Sequence, residues 1–436
     1  MKRRPGRSSD YHRDPNRRPL TVITLQLLPR FTVENIHTTW APSGARFQKG
    51  RPMTLNANQD IPLVDLKRQH AALAPEVDDA FRSILSTMQL FLGPNVQTFE
   101  EDFARYLGAS DCVGVSDGTT ALYLALRACD VGPGDEVITV SHTFFATVEA
   151  IIETGATPVF VDVDPDTHTM DVEQAERAVT PRTKAIVPVH LYGRMADMDG
   201  VMAVASRNGL KVVEDACQAH GARRNGQAAG TIGDAGCFSF YYSKNLGAYG
   251  EAGGIVSNDP TVSERVRVLR DHGSAVRYHH QEVGVNGRLD EMQAAVLRIK
   301  LPRLEEWNRQ RRAYASLYNE RLRDLPIGTP APAGEDHVFH LYVIRHPRRE
   351  ALRRHLEAGR IHTGIHYPVP CHLQPACMRY GQGQGSLPVT ESLADEILSL
   401  PMFPELTAEE VDRVCESVAE FFGGETVTGT HVEAAQ

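Results

Sequence analysis

From Ile61 onward, short apolar runs alternate with stretches of helical periodicity. The apolar runs are 112–116 (CVGVS), 136–141 (EVITVS), 157–163 (TPVFVDV), 184–190 (KAIVPVH), 211–215 (KVVED), 236–242 (GCFSFYY) and 253–258 (GGIVSN). Their β-branched and aromatic enrichment favours strands over buried helix turns. Between them, TTALYLALRACD, FATVEAIIETG, VEQAERAV and MDGVMAVASRNG repeat apolar residues at helical spacing. Strands alternating with helices predict an α/β fold, with a mostly parallel sheet covered on both faces. Ligands of such sheets gather at the carboxyl ends of the strands.

The pattern changes in the last third. Residues 288–322 predict one or two long amphipathic helices, and HVFHLYVIR (337–345) predicts a strand. RREALRRHLEAGRI predicts a helix ending at its glycine. TAEEVDRVCESVAEFFGG predicts a terminal helix with Thr407 as N-cap and Glu410 completing a capping box. The expected organisation is a large domain over 59–305 and a smaller α+β domain over 306–422. Residues 1–58 are basic, proline-rich at the start and without periodicity. They read as a disordered extension, or as an artefact of start-site choice with Met53 as the start; a targeting peptide is the alternative. Residues 423–436 read as a flexible tail.

The chain has 436 residues, 42% of them hydrophobic, a formal net charge of −9 and a pI near 6.1. That balance argues against a partner nucleic acid or a membrane surface, which call for a basic face. No apolar run approaches the ~20 residues that span a bilayer. The seven cysteines are odd in number, scattered, and form no C-x-x-C. They read as reduced thiols of a cytoplasmic protein, not a disulfide framework. His279 and His280 are adjacent and His366 and His372 lie close in sequence, but no ligand spacing on a helix accompanies them, so no metal is expected.

Four stretches at strand ends carry candidate chemistry. In SDGTTALYLAL (116–126), Gly118 and the hydroxyls of Thr119 and Thr120 open a helix, a geometry suited to phosphate; the bland reading is a capped turn. Phe144, just after a strand, is placed to cover a flat ring, or is an ordinary core phenylalanine. Asp215 ends a hydrophobic strand, where it caps the next helix or faces a pyridine nitrogen and keeps it protonated. Lys244 follows strand-forming aromatics in CFSFYYSKNLGAYGEAGG (237–254). It snorkels to water, or, if desolvated, is a nucleophilic amine for an aldehyde. Ser239 adds a further hydroxyl for the phosphate. Singly each is weak. Together they describe a ligand with a phosphate, a flat ring, a basic ring nitrogen and an aldehyde, which is pyridoxal 5′-phosphate.

DGTTAL, HTFFAT, VDVDPDT, IVPVHLYG, EDACQAHGA, FSFYYSKNLGAYGEAGG, GVNGRLDEMQAAVL, GIHYPVPCH and SLPMFPELT follow in this order. From about Ile61 to about Phe421 the sequence resembles the DegT/DnrJ/EryC1/StrS sugar aminotransferases, pyridoxal-phosphate enzymes of fold type I. The resemblance implies a large domain with a mostly parallel seven-stranded sheet and a smaller C-terminal α+β domain. It implies that Lys244 holds the cofactor's aldehyde and Asp215 partners the pyridine nitrogen. Gln218 matches the residue on the ring-hydroxyl side, Phe144 the stacking residue, and Gly118, Thr119 and Ser239 the phosphate ligands. Asn286 matches an asparagine that reaches the phosphate from the other subunit, which implies a homodimer with shared active sites. Tyr241, His366 and Tyr367 are substrate-contact candidates.

KNLGAYGEAGG with N-x-RLDE-x-QAAVL looks most like the branch that aminates C-3 of nucleotide-linked 3-keto-6-deoxyhexoses, here dTDP-linked, although Gly287 stands where serine is usual. The implied reaction is ping-pong transamination from L-glutamate, with freed Lys244 carrying the proton. The alternatives are a C-4 ketosugar or cyclitol (scyllo-inosose type) aminotransferase and a lysine-retaining, cofactor-dependent sugar dehydratase. A regulatory or sensory protein is a third reading; it would need loss of the cofactor residues, and all of them are present.

Overall fold

The computed structural model describes residues 59–380 and 382–423. The extension expected over 1–58 and all but the first residue of the 423–436 tail lie outside the described residues.

Seven strands form one sheet: β1 (Asp111–Val115), β2 (Glu136–Val140), β3 (Thr157–Val161), β4 (Thr183–Val187), β5 (Lys211–Asp215), β6 (Ala235–Ser239) and β7 (Gly253–Ser257). Their spatial order is β1-β7-β6-β5-β4-β2-β3. β7 runs antiparallel to both of its neighbours and the other pairs are parallel. β2 and β7 are buried at every position. That is the reason their sequences read as continuous apolar runs rather than alternating ones.

The flanking helices are α1 (Leu66–Thr87), α2 (Pro94–Leu107), α3 (Gly118–Ala128), α4 (Phe145–Glu153), α5 (Val172–Arg177), α6 (Met198–Asn208) and α7 (Pro260–Leu269). Proline opens α2 and α7, where its missing N–H costs nothing. Gly108 and Gly209 close α2 and α6 in the left-handed conformation that stops a helix. The 288–322 region resolves into two helices, α8 (Glu291–Lys300) and α9 (Leu304–Leu322), separated by a tight turn at Leu301–Arg303 that contains Pro302.

A second apolar core gathers Tyr318 and Leu322 of α9, Ile344, Leu398, Phe403, Val411 and Val418. It is built on the antiparallel pair β8 (Tyr342–Arg345) and β9 (Ile397–Leu400), with α10 (Arg349–Ala358), α11 (Pro388–Glu396) and α12 (Ala408–Gly423) completing the C-terminal elements. The capping box of α12 forms as expected: Glu410 N–H donates to Thr407 Oγ1 at 3.2 Å and Thr407 N–H to Glu410 Oε2 at 3.0 Å. The strand expected over 337–345 is shorter. Only Tyr342–Arg345 forms a strand; His337 makes an isolated bridge with Arg194, and Phe339, with a φ of 43°, separates the two. Buried Arg311 of α9 holds that distorted segment, donating to the carbonyls of Phe339 (3.2 Å), His340 (3.3 Å) and Met402 (3.0 Å). Among the described residues no helix is long and apolar enough to cross a membrane.

Candidate active site

The carboxyl ends of β1, β2, β4, β5 and β6 open into a cleft of about 1190 Å³. Every site residue predicted from the sequence except Thr120 and Asn286 lines it.

The first wall is the start of α3. Asp117 caps this helix, accepting from Thr120 N–H at 2.8 Å with Oδ1 and from the Thr120 hydroxyl at 2.8 Å with Oδ2. The Thr120 hydroxyl is therefore engaged locally, and Thr119 is the threonine that faces the cleft. The first amides of a helix have no partner within it, so Gly118 and Thr119 present N–H groups and the positive end of the helix dipole. A Cβ on Gly118 would lie 2.6 Å from Ser239 Cβ and 3.2 Å from Ser239 Cα. Glycine is what lets α3 touch the end of β6. The contact brings the Ser239 hydroxyl to the same cradle.

The floor is the end of β5, where alternation sends two adjacent carboxylates opposite ways. Glu214 is fully buried and accepts from His190 Nε2 (2.9 Å) and from the N–H groups of Gly230 (2.8 Å), Ile232 (2.7 Å) and Gly233 (2.7 Å). It is spent on structure. Asp215 faces the cleft. Its Oδ2 accepts from the Thr147 hydroxyl at 2.7 Å and its Oδ1 from Cys217 N–H at 3.2 Å. Four residues after the strand-end Thr143, Thr147 reaches both that residue's hydroxyl (2.9 Å) and Asp215. Gln218 accepts from Tyr192 N–H at 2.8 Å and donates to Tyr367 OH at 3.3 Å.

Opposite stands Phe144, 53% exposed on the protein, an unusual state for a phenylalanine that reads as core. Its ring centroid lies 5.4 Å from that of Tyr367, tilted by 40°. Lys244 sits in the turn after β6, its N–H bonded to Tyr241 O at 2.8 Å. An aromatic cluster anchors that turn. Phe240 meets Phe99 and Phe103 edge-on at 5.2 and 5.1 Å, and Phe238 meets Phe103 at 5.0 Å. Each such pair contributes about 0.5–1.5 kcal/mol beyond its buried area. Burial lowers the proton affinity of Lys244 below that of an ordinary lysine, and its neighbours Cys217, Asp215 and Glu251 only partly offset it. His366 is held at about 4 by burial and by Lys244, so its ring is neutral at pH 7. Its Nδ1 lies 2.8 Å from Ser399 Oγ. Burial pushes the Tyr367 hydroxyl well above the usual phenol range.

Asn286 is exposed, pairs its backbone with Asp271 and stands apart from this cleft in the single chain. Sequence reasoning passed over Thr147, Tyr192 and His340. Thr147 lies inside the HTFFAT stretch, but its bond to Asp215 spans 68 residues and leaves no local signal. His340 was hidden in the run read as a strand.

The cleft thus combines an anion cradle, a half-exposed aromatic face, a buried carboxylate and a desolvated amine. A chain with these groups can hold a phosphorylated heteroaromatic aldehyde.

Residues 72–419 match the family described as DegT/DnrJ/EryC1/StrS aminotransferase family. The chain is 48% identical over 363 residues to dTDP-3-amino-3,4,6-trideoxy-alpha-D-glucose transaminase of Streptomyces venezuelae, covering 83% of this chain and 96% of the relative. It is 47% identical over 371 residues to UDP-N-acetyl-3-dehydro-alpha-D-glucosamine 3-aminotransferase of Acidithiobacillus ferrooxidans, covering 85% of this chain and all of the relative. Among solved structures it is similar to S. venezuelae DesV in complex with a ketimine intermediate, with a TM-score of 0.81, 48% identity, and 83% and 98% of the two chains covered. The chain belongs to the DegT/DnrJ/EryC1/StrS aminotransferase family.

Proposed function

We propose that this protein is a pyridoxal-phosphate-dependent aminotransferase that moves the amino group of L-glutamate to C-3 of a nucleotide-linked 3-keto-6-deoxyhexose. The single observation that carries the reading is the convergence of Lys244, Asp215, Phe144 and the Gly118–Ser239 contact on one cleft. Both transaminase relatives described above are named for amino or keto groups at the sugar's C-3.

The residues fit the cofactor group by group. The Gly118 and Thr119 amides and the Ser239 hydroxyl, brought together by the close Gly118–Ser239 contact, suit the phosphate. Phe144 offers a free aromatic face for the ring. When bound, the cofactor supplies an aldehyde for amines and an electron sink for the carbon that loses its proton.

The chain's own groups do the rest. Asp215, oriented by Thr147 and the Cys217 amide, accepts the pyridine N–H and keeps that nitrogen protonated. Gln218 sits on the ring-hydroxyl side. Lys244 is the amine that meets the aldehyde; its lowered proton affinity enlarges the reactive free-base fraction at neutral pH. Once released, the same Nζ takes and returns the proton as general base and acid. Tyr241, His366 and Tyr367 border the sugar. Their neutral state leaves hydrogen-bonding groups but no charge facing the keto carbon. Asn286 of a second copy completes the phosphate site, in a homodimer. The free cysteines of the described residues, all but Cys217 buried, suit a cytoplasmic setting.

The test is product analysis with a dTDP-3-keto-6-deoxyhexose, L-glutamate and added cofactor. The expected products are the 3-amino sugar and 2-oxoglutarate, with none from Lys244→Ala. Glutamate-independent deoxygenation, or amination at another carbon only, would refute the assignment.

A further inference from the structure

Behind the cleft, a tight turn at Leu191–Gly193 follows β4 and buries Tyr192 with a φ of 58°. A bulky residue in the left-handed region persists only where its surroundings fix it from several sides. Gly193 also has a positive φ, and a Cβ on it would lie 3.0 Å from the Gln218 carbonyl oxygen, so the turn presses directly on the Gln218 segment.

Tyr192 reaches two functional groups through two different atoms. Its main-chain N–H donates to Gln218 Oε1 at 2.8 Å. That bond settles the amide: the oxygen faces the turn and the NH₂ group is left for the other side, where it donates to Tyr367 OH at 3.3 Å. The Tyr192 hydroxyl bonds to the main-chain carbonyl of His366 and lies 3.0 Å from His142 Nε2. A carbonyl oxygen only accepts, so the hydroxyl donates to residue 366. Its own oxygen then receives the proton carried by His142 Nε2. Burial holds His142 at about 4, so the ring is neutral at pH 7 and its lone pair is on Nδ1. Burial also pushes the Tyr192 phenol well above its usual range, so the donor stays protonated.

The carbonyl it holds is in the middle of a strap. At one end of the strap, Gly364 exchanges main-chain bonds with Ser399 of β9, at 3.1 and 2.8 Å. At the other, Cys371 N–H donates to Ser141 O at 3.0 Å and His372 N–H to Ser141 Oγ at 2.9 Å, just beyond β2. Between these ties the strap carries His366 and Tyr367 into the cleft wall.

We infer that Tyr192 is a positioning residue that joins the two sides of the site: its N–H sets the Gln218 amide on the cofactor side, and its hydroxyl fixes the strap that presents His366 and Tyr367 on the substrate side. The inference deepens the proposed function, because it rests on His366 and Tyr367 bordering the sugar.

The experiment compares wild type with Tyr192→Phe, which deletes the hydroxyl and keeps the main-chain N–H. In the full chain without cofactor, alkylation of Cys371 by iodoacetamide, read by peptide mass spectrometry, reports opening of the strap, since that thiol is buried where the strap ends. Cys237, fully buried in β6, reports global unfolding. Losing one hydrogen bond raises a local open population about 10-fold. Cys371 should therefore react about 10-fold faster in Tyr192→Phe, with Cys237 at its wild-type rate. The cofactor dissociation constant should stay within about twofold, because the Gln218 bond comes from the main chain, while KM for a dTDP-3-keto-6-deoxyhexose rises about 10-fold at a kcat within about twofold. An unchanged Cys371 rate overturns the inference. So does equal acceleration of Cys371 and Cys237, or a loss of cofactor affinity matching the rise in KM, since either marks a general packing role. Should Tyr192→Phe fail to fold, two-bond proton–nitrogen spectra of wild type still decide: the His142 proton is expected on Nε2, and a proton on Nδ1 overturns the hydroxyl assignment. Failure of wild type to aminate the ketosugar would instead remove the functional reading and leave the alkylation and the tautomer standing.

Discussion

Gly118→Ala isolates the close contact on which the anion cradle depends. Gly118 is not in the left-handed region, so alanine meets no backbone strain there. The new Cβ would lie 2.6 Å from Ser239 Cβ and 3.2 Å from Ser239 Cα. Carbon atoms pack at about 3.5–4.0 Å, so the two elements must part by about 1 Å. β6 cannot yield, because β5 and β7 pair with it on both sides. The start of α3 therefore retreats. Overpacking of this kind costs about 1–3 kcal/mol of stability without cofactor. A 1 Å retreat also takes a hydrogen bond of about 2.9 Å out of bonding range. Losing one charge-assisted bond, about 1.5–3 kcal/mol, weakens cofactor binding by about 10- to 100-fold. The assay is a pyridoxal-phosphate titration by absorbance, paired with urea unfolding of the cofactor-free protein. Adding Ser239→Gly removes the 2.6 Å contact and should recover stability but not affinity, since it also deletes the hydroxyl proposed to hold the phosphate. Unchanged stability together with a dissociation constant within about twofold of wild type would refute the reasoning.

Thr147→Val removes the hydroxyl that donates to Asp215 at 2.7 Å while keeping the side chain's shape, and weakens cofactor binding by about 10-fold or more; equal affinity in equilibrium titration contradicts the orienting role. Lys300 is fully buried, donates to Gly247 O at 2.7 Å, and burial holds it at about 8 against 10.5 in the unfolded chain. Between those values the unfolded chain binds more protons, so the Lys300 contribution to stability rises with pH and is complete above 10.5. The difference in unfolding free energy between wild type and Lys300→Met should shift by about 3 kcal/mol in favour of wild type across that window, and a constant difference excludes the buried titration.

The strands were legible because their apolar runs are buried on both faces and rich in β-branched residues. Predicted ends overshot by one to three residues at Ser116, Ser141, Asp162–Val163, Pro188–His190, Phe240–Tyr242 and Asn258. All but Asn258 lie beyond the carboxyl ends of strands on the cleft side, where the chain leaves the sheet. Phe240 leaves it to pack on Phe99 and Phe103, residues far away in sequence. The 337–345 run misled for the same reason: Arg311, 28 and 29 residues away, captures the carbonyls of Phe339 and His340. Lys244, Asp215 and Phe144 were readable because each lies at, or within five residues of, the carboxyl end of a strand. Thr147 and Tyr192 act through partners remote in sequence, and no local pattern announces that. Asn286 was matched by motif alone, and one chain cannot bring it to its own cleft.

The most direct test of the central claim is borohydride reduction of the protein loaded with pyridoxal phosphate, followed by peptide mass spectrometry. The account predicts the reduced cofactor attached to Lys244. Attachment to a different lysine, or no attachment at saturating cofactor, contradicts it.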